Sequence, residues 1–256
     1  MPVAPILTRV GSKKPIRDLV KRKAPKDYTF YIEPFVGSGA VYFYLDVDVP
    51  AVISDLDADL VKTHKAIQNN PSIENISKYE NMTEGQIDAF INKKNFSKTI
   101  DKIAQYTART SGTFGGKPAK ADKEGTYKVY KYPNIATKLR RIPENAEYMK
   151  NTLVLNQDYK TVIKKYDRPG AFIYLDPPYE NSEKLYDFPD MDFEDMAGVL
   201  KKVKGKFLMS INDSPTIRKT FKDFKISKVV VRGGGGSDKE GVPGAGSRNE
   251  LFISNY

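Results

Sequence analysis

The sequence predicts an α/β fold in which a mostly parallel sheet ends in a C-terminal antiparallel hairpin strand and carries a small, mainly helical inserted domain. Three observations predict it. Short apolar runs alternate with helix-periodic segments in both the first and the last parts of the chain, this rhythm stops between about residues 69 and 149, and the chain closes on two apolar runs joined by a glycine-rich stretch. At 256 residues the chain can bury one full α/β core with a smaller module, but hardly two large ones. The expected division is a discontinuous α/β domain over 1–68 and 150–256, interrupted by an insert over 69–149.

In order, Tyr28 to Ile32 reads as a short strand, followed by the turn Glu33-Pro34-Phe35-Val36-Gly37-Ser38-Gly39 and an apolar run, Ala40 to Leu45, that suits a helix. Ala51 to Ser54 is a second buried strand ending at Asp55, and Asp59 to Gln68 has helical spacing, so the pattern is βαβα. From Asn69 the chain turns polar and lysine-rich, with a Gly, Lys and Pro loop over Ser111 to Pro118. Strands resume at Thr152 to Leu155 and at Ala171 to Leu175, the latter running straight into Asp176. Phe193 to Val203 is an amphipathic helix, and Lys206 to Ile211 is another strand. Ile226 to Val231 and Glu250 to Ser254 read as the closing pair, joined by Arg232 to Asn249, a hairpin connection with seven glycines.

Composition removes whole enzyme classes. The chain has no cysteine, which excludes disulfides, thiolate nucleophiles and cysteine-ligated zinc. Cytosine C5 methylation, which needs a thiolate to attack the ring, and the zinc deaminases fall with them. His64 is the single histidine, which leaves neither a histidine-rich metal site nor a Ser-His-Asp triad. Its helical pattern places it on the surface, and no metal is expected. No run approaches the roughly 18 to 20 apolar residues needed to cross a bilayer, and the first residues lack the order of a signal peptide. A soluble, intracellular protein without a membrane partner is expected.

The net charge is +10, and residues 91–141 alone hold 13 Lys and Arg against Asp101, Asp122 and Glu124, a surplus equal to that of the whole chain. Six aromatics, Phe96, Tyr106, Phe114, Tyr127, Tyr130 and Tyr132, are interleaved with these cations. Bases stack on such rings while Lys and Arg hold phosphates, so the segment reads as a nucleic-acid contact, the alternative being a solvated basic face.

In a doubly wound sheet ligands sit outside the carboxyl ends of the strands, where the 33–39 turn, Asp55 and Asp176 to Tyr179 all fall. Tyr42 stands where a dinucleotide fingerprint has its third glycine, so a ligand without a diphosphate fits the turn better. Asp55, at a strand end, has the placement of a carboxylate that accepts hydrogen bonds from both ribose hydroxyls; a purely structural turn is the alternative. Asp176-Pro177-Pro178-Tyr179 is more specific, since such a word arises by chance on the order of once per thousand chains of this size. Two prolines stop strand and helix, fix the backbone and remove two N–H donors. What remains is a rigid run of carbonyl acceptors between a carboxylate and an aromatic face. The Asp176 carboxylate and the Pro177 carbonyl can accept both N–H groups of an exocyclic amine while Tyr179 stacks on its ring.

Val36, Gly37 and Gly39 within Glu33 to Ala40, together with Tyr174 to Tyr179 and Arg248-Asn249-Glu250-Leu251-Phe252, resemble the DNA adenine N6-methyltransferases of the Dam-like, DPPY class. The resemblance spans nearly the whole chain in the same order and is weakest between about 70 and 104. It implies the Rossmann-like fold of the S-adenosylmethionine-dependent methyltransferases, S-adenosyl-L-methionine as cofactor and double-stranded DNA as partner, in a restriction-modification setting. By that resemblance Glu33, Pro34, Phe35, Gly37 and Gly39 surround the methionine part of the cofactor, Asp55 holds its ribose and Asp158 lies near its adenine. Asp176 belongs to both the cofactor and the target sides, with Pro177, Pro178 and Tyr179 completing the catalytic set. The family's Lys-Trp-x-Gly-Gly-Lys element corresponds to Thr8-Arg9-Val10-Gly11-Ser12-Lys13, which keeps Lys13 but has Arg9 in place of the tryptophan. The insert becomes the target-recognition module, and Arg109 to Lys117 resembles the Arg and Gly-Phe pattern at its end. Arg109 is then a candidate to read guanine or to brace the insert, with Lys117, Lys120 and Lys123 on phosphates.

The reaction implied is direct transfer of a methyl group to adenine N6 after the base is flipped out of the duplex. Within enzymes the alternatives are methylation of cytosine N4, an RNA adenine or a protein glutamine amide, whose enzymes more often have Ser or Asn where Asp176 stands. From another class, the alternative is a catalytically silent nucleic-acid-binding relative.

Overall fold

The computed structural model describes all residues except 1, 10, 71, 114–120, 181–190 and 233–246. In chain order its elements begin with α1 (Arg17–Lys23), β1 (Phe30–Glu33), α2 (Tyr42–Leu45), β2 (Ala51–Ser54) and α3 (Ala58–Gln68). A 3-10 turn (Ile76–Tyr79) precedes α4 (Glu84–Asn92), α5 (Thr99–Ser111), α6 (Ile135–Leu139) and α7 (Ile142–Tyr148). The second half follows with β3 (Thr152–Leu155), α8 (Tyr159–Tyr166), β4 (Ala171–Leu175), α9 (Phe193–Leu200), β5 (Lys206–Asn212), α10 (Pro215–Thr220), β6 (Lys225–Arg232) and β7 (Ser247–Ser254). The chain folds into two compact units. One holds Met1–Ser12, Gly37–Asp46 and Asp57–Asn151; the other holds Lys13–Val36, Val47–Leu56 and Thr152–Tyr256.

The second unit contains the whole sheet, in the order β3-β2-β1-β4-β5-β7-β6. Strands β1 to β5 are parallel where they pair, and β7 runs antiparallel to both β5 and β6. Every residue of β2 and β4 is buried, as expected of parallel strands covered on both faces. Val162 and Ile163 of α8, Met196, Ala197 and Leu200 of α9, and Phe207 and Met209 of β5 pack against Ile32, Ile173 and Leu175 in one continuous core. The strand order reverses between β1 and β4, the switch point outside whose carboxyl ends such sheets bind ligands. Register pairs Ile32 with Ile173 and Leu175 with Met209, so Glu33 and Asp176 both emerge at that end.

The other unit is helical. The Asp57 carboxylate caps α3 by accepting from the Asp59 and Leu60 N–H groups at 3.1 and 3.0 Å, and Thr83 with Gln86 forms a capping box on α4. Helix α5 buries Ile100, Ile103, Ala104, Thr107 and Ala108, a stripe at spacings of three and four, and packs on α3, α4 and α6. The Lys138 ammonium ties Thr8 and Ser111 at 2.6 and 2.7 Å, which docks the first residues of the chain on the helices. The expected insert, 69–149, thus lies within a unit that also takes in α3, because α3 packs on α5 and α7.

Strands β2, β3 and β4 have the bounds read from the sequence. Strand β1 starts at Phe30 instead of Tyr28, whose ring instead packs on Phe172 at 5.4 Å. Helix α2 is one turn long, since the chain from Gly37 to Val41 is used by the preceding turn and Asp46 ends the helix in a left-handed conformation. Helix α9 stops at Leu200 instead of Val203. The closing ladder is longer than expected, pairing as far as Arg232 with Ser247. The expected glycine-rich connection therefore shrinks to 233–246, which lie outside the described residues.

Candidate active site

Residues 176–179 leave the end of β4 beneath a buried lysine. Lys13 is 2% exposed, its ammonium lies 2.5 Å from Asp176 Oδ1, and the same Nζ stands 4.6 Å from the centre of the Tyr179 ring. One cation therefore orients both the carboxylate and the aromatic face that the sequence singled out. Pro177 is buried, while Asp176, Pro178 and Tyr179 are half-buried, so the segment is anchored at one point and open beside it.

The far edge of the Tyr179 ring is held by a residue that sequence reasoning gave no role. Glu250 is fully buried on β7, and its Oε1 accepts from the Tyr179 hydroxyl at 2.7 Å. Next to Glu250 across the ladder is Asn212 of β5, whose Oδ1 accepts from the Glu180 N–H at 3.2 Å. Below this layer the Tyr174 hydroxyl meets Ser210 Oγ at 2.8 Å; burial, reinforced by the charge of Asp176, pushes the Tyr174 phenol well above its usual range. On the adjoining strand Glu33 is buried and accepts from the Tyr31 hydroxyl at 2.6 Å.

Further along the same strand ends, the Asp55 backbone is pinned twice: its N–H donates to the Leu155 carbonyl at 3.3 Å and its carbonyl accepts from Asn156 Nδ2 at 2.9 Å. Asp158 is the N-cap of α8 and accepts from the Thr161 N–H and hydroxyl at 3.0 and 2.6 Å. Burial opposes ionisation of this carboxyl, but the bonds from Thr161 outweigh it and hold the pKa below the ordinary value. Beside it, Ser54 Oγ donates to the Gln157 carbonyl at 2.7 Å, and buried Gln157 Oε1 has no hydrogen-bond partner among the described residues. Pro34 is buried, and Phe35 stacks on Tyr159 at 5.5 Å.

The residues fit an adenosyl ligand without phosphates. The Asp55 carboxylate at the end of β2, the Asp158 carboxylate at the start of α8 and the Gln157 acceptor suit hydroxyl and amine donors, and a buried polar atom such as Gln157 Oε1 asks for a partner. Gly37 and Gly39, which follow β1 in the chain, have φ of +50° and +75°, and a Cβ on Gly39 would stand 2.7 Å from the Phe43 ring.

In the helical unit His64 corrects the sequence reading. It is not a surface residue: it is 1% exposed, and its Nε2 donates to the Gly37 carbonyl at 2.9 Å. Buried Nδ1 has no partner among the described residues, and burial pushes the imidazole pKa down, partly offset by the bond to Gly37. Arg9, in the place of the family's tryptophan, is paired with Asp57 Oδ2 at 2.5 Å, and a Cβ on Gly37 would lie 3.8 Å from its stem. Arg109 of α5 donates through Nε to the Ile91 carbonyl at 2.9 Å, while its guanidinium stacks 3.6 Å from the centre of the Tyr127 ring. Lys123 is exposed, as are Tyr130, Lys128 and Lys131. Phe114, Lys117 and Lys120 lie outside the described residues.

Residues 10–232 match the family model described as D12 class N6 adenine-specific DNA methyltransferase. Among curated proteins the chain is 28% identical to Type II methyltransferase M.MjaIII of Methanocaldococcus jannaschii, with 100% of both chains covered. It is 26% identical to Type II methyltransferase M1.LlaDCHI of Lactococcus lactis subsp. cremoris, covering 98% of this chain and 95% of that one. A viral relative, Type II methyltransferase M.CviBI of Paramecium bursaria Chlorella virus NC1A, is 24% identical over 85% of this chain and 86% of its own.

Proposed function

Because the chain belongs to the D12 class N6 adenine-specific DNA methyltransferase family, we propose that it transfers the methyl group of S-adenosylmethionine to the exocyclic N6 of an adenine flipped out of double-stranded DNA. The observation that carries this reading is the buried Lys13 ammonium, which orients the Asp176 carboxylate and the Tyr179 ring together at the end of β4.

Glu33, Pro34, Phe35, Asp55 and Asp158 would hold the cofactor, with Lys13 and Asp176 bordering it. Bound there, S-adenosylmethionine supplies a sulfonium methyl group open to direct attack. Asp176 and the Pro177 carbonyl accept the two N6–H groups of the target adenine and favour the pyramidal, partly positive nitrogen. They thereby stabilise the transition state more than the flat ground-state amine. Pro178 makes the run rigid, and Tyr179 stacks on the flipped ring, which helps repay the few kcal/mol of unstacking. No group of the chain forms a covalent bond in this scheme, consistent with the absence of cysteine.

A pocket that takes one flipped base cannot read its neighbours, so sequence choice falls to contacts outside it. We place these on the basic insert, with Lys117, Lys120 and Lys123 on phosphates. Of the two roles open to Arg109, its bonds to Ile91 and Tyr127 favour bracing α4 and α5 over reading guanine. Incubation with labelled S-adenosylmethionine and, in parallel, duplex DNA, single-stranded DNA and RNA tests the reading. Label should enter duplex DNA as N6-methyladenine, and label confined to RNA or to cytosine would overturn it.

A further inference from the structure

We infer that Glu250 is a positioning residue for methyl transfer, acting through Tyr179 to make that ring a fixed, electron-rich platform for a base acquiring positive charge. The inference rests on the function proposed above. Glu250 is fully buried and lies 71 residues from Tyr179 in the chain, yet its Oε1 takes the phenolic hydrogen bond at 2.7 Å. A buried carboxylate is costly to desolvate, and an apolar neighbour would pack the ring without it. What the carboxylate adds is electronic. A phenol that donates to an anion draws electron density into its ring and deepens the negative potential of the ring face.

The Tyr179 ring already meets a cation, the Lys13 ammonium, 4.6 Å from its centre. As the N6 lone pair forms the new N–C bond, the C–S bond gives its electron pair to sulfur, and positive charge moves onto the base until one N6 proton departs to solvent. A ring polarised by Glu250 therefore gains more from the transition state than from the neutral base. Position is fixed by the same strand pair. Asn212, the register partner of Glu250, holds the Glu180 N–H, and the Asp213 N–H donates to the Asn249 carbonyl at 3.2 Å. The ends of β5 and β7 thus grip two successive residues, 179 and 180, leaving the ring little freedom to tilt.

The test is a double-mutant cycle of Glu250→Gln, Tyr179→Phe and the pair, read as single-turnover methyl transfer at saturating cofactor and duplex, at a temperature where melting shows each variant folded. Glu250→Gln keeps the shape and an acceptor but removes the charge. Each single change should slow transfer about tenfold, the double should be no slower than either, and the calorimetric affinity for S-adenosylmethionine should stay within about twofold. Glu250→Gln turning over at the normal rate, or a double variant losing the product of the two effects, overturns the inference. Should Glu250→Gln not fold, Tyr179→Phe alone decides it, since a normal rate there leaves the hydroxyl bond without a role. An unaltered protein that transfers no methyl group to DNA adenine would bring down the proposed function, and this inference with it.

Discussion

Lys13 and Asp176 form the pair on which the site turns. The ammonium is almost wholly buried, so removing Asp176 takes a counter-charge from a poorly solvated cation, while removing Lys13 takes the cation from a half-buried carboxylate. Lys13→Met is expected to slow transfer at least tenfold and to lower the melting temperature, because Asp176 loses the group that orients it; a variant with normal rate and stability would remove Lys13 from the site. Asp55→Ala should weaken cofactor binding by about 1 to 3 kcal/mol as the ribose hydroxyls lose their acceptor, and unchanged calorimetric affinity would place the ribose elsewhere. His64 links stability to pH. Burial holds its folded pKa below the ordinary 6.5, so the unfolded chain takes up the proton first. Its contribution is fully present above about pH 6.5 and is lost as pH falls below that value towards the folded one. Urea midpoints from pH 7.5 to 5.5 should fall for the unaltered protein and fall less for His64→Gln; parallel curves would show that the imidazole is not the titrating group.

Two elements carry testable strain and bracing. Gly39 has φ of +75°, and an added Cβ would collide with Phe43, so Gly39→Ala should cost roughly 1 to 3 kcal/mol in thermal or denaturant unfolding. A neutral result would mean that the turn can relax. Helix α5 is tied to α4 by Arg109, so Arg109→Ala should lower the melting temperature while leaving the sequence preference intact; a relaxed preference at one position on a panel of single-base variants would restore the base-reading role. Strands β2, β3 and β4 were legible in the sequence because each is a short apolar run with sharply polar flanks, and Asp176 was legible because two prolines end a buried strand there. The grip of Glu250 on Tyr179 was not, since a hydrogen bond between residues 71 apart leaves no period. His64 was misread because helical spacing alone does not say which neighbour covers a face, and the Gly37 carbonyl that binds it is invisible to composition. The ambiguity of Arg109 has the same origin: its partner is the main-chain carbonyl of Ile91, which any residue type could supply.

For the whole molecule the decisive quantity is the distribution of charge. The surplus of +10 sits in residues 91–141, so association with DNA should weaken steeply with salt, and Lys123→Ala should weaken binding to all sequences alike while reducing the salt slope by roughly 1. Fluorescence anisotropy on specific and unrelated duplexes over a salt series checks this, and a loss confined to one sequence would contradict a phosphate contact. Under the proposed function chemistry and recognition separate: the carboxyl ends of β1 and β4, with Glu250 of β7 holding Tyr179 from beyond β5, would supply the reaction, and the basic segment would supply the address. The central claim is that Asp176 carries methyl transfer to adenine N6, and the most direct measurement is single-turnover transfer from labelled S-adenosylmethionine to an unmethylated duplex, with the nucleosides separated afterwards, for the unaltered protein and Asp176→Asn side by side. Label in N6-methyladenine from the first, at least ~100-fold less from the second, and similar cofactor affinity for both is the expected result; label in N4-methylcytosine, or an Asp176→Asn protein that transfers at the normal rate, would contradict the account.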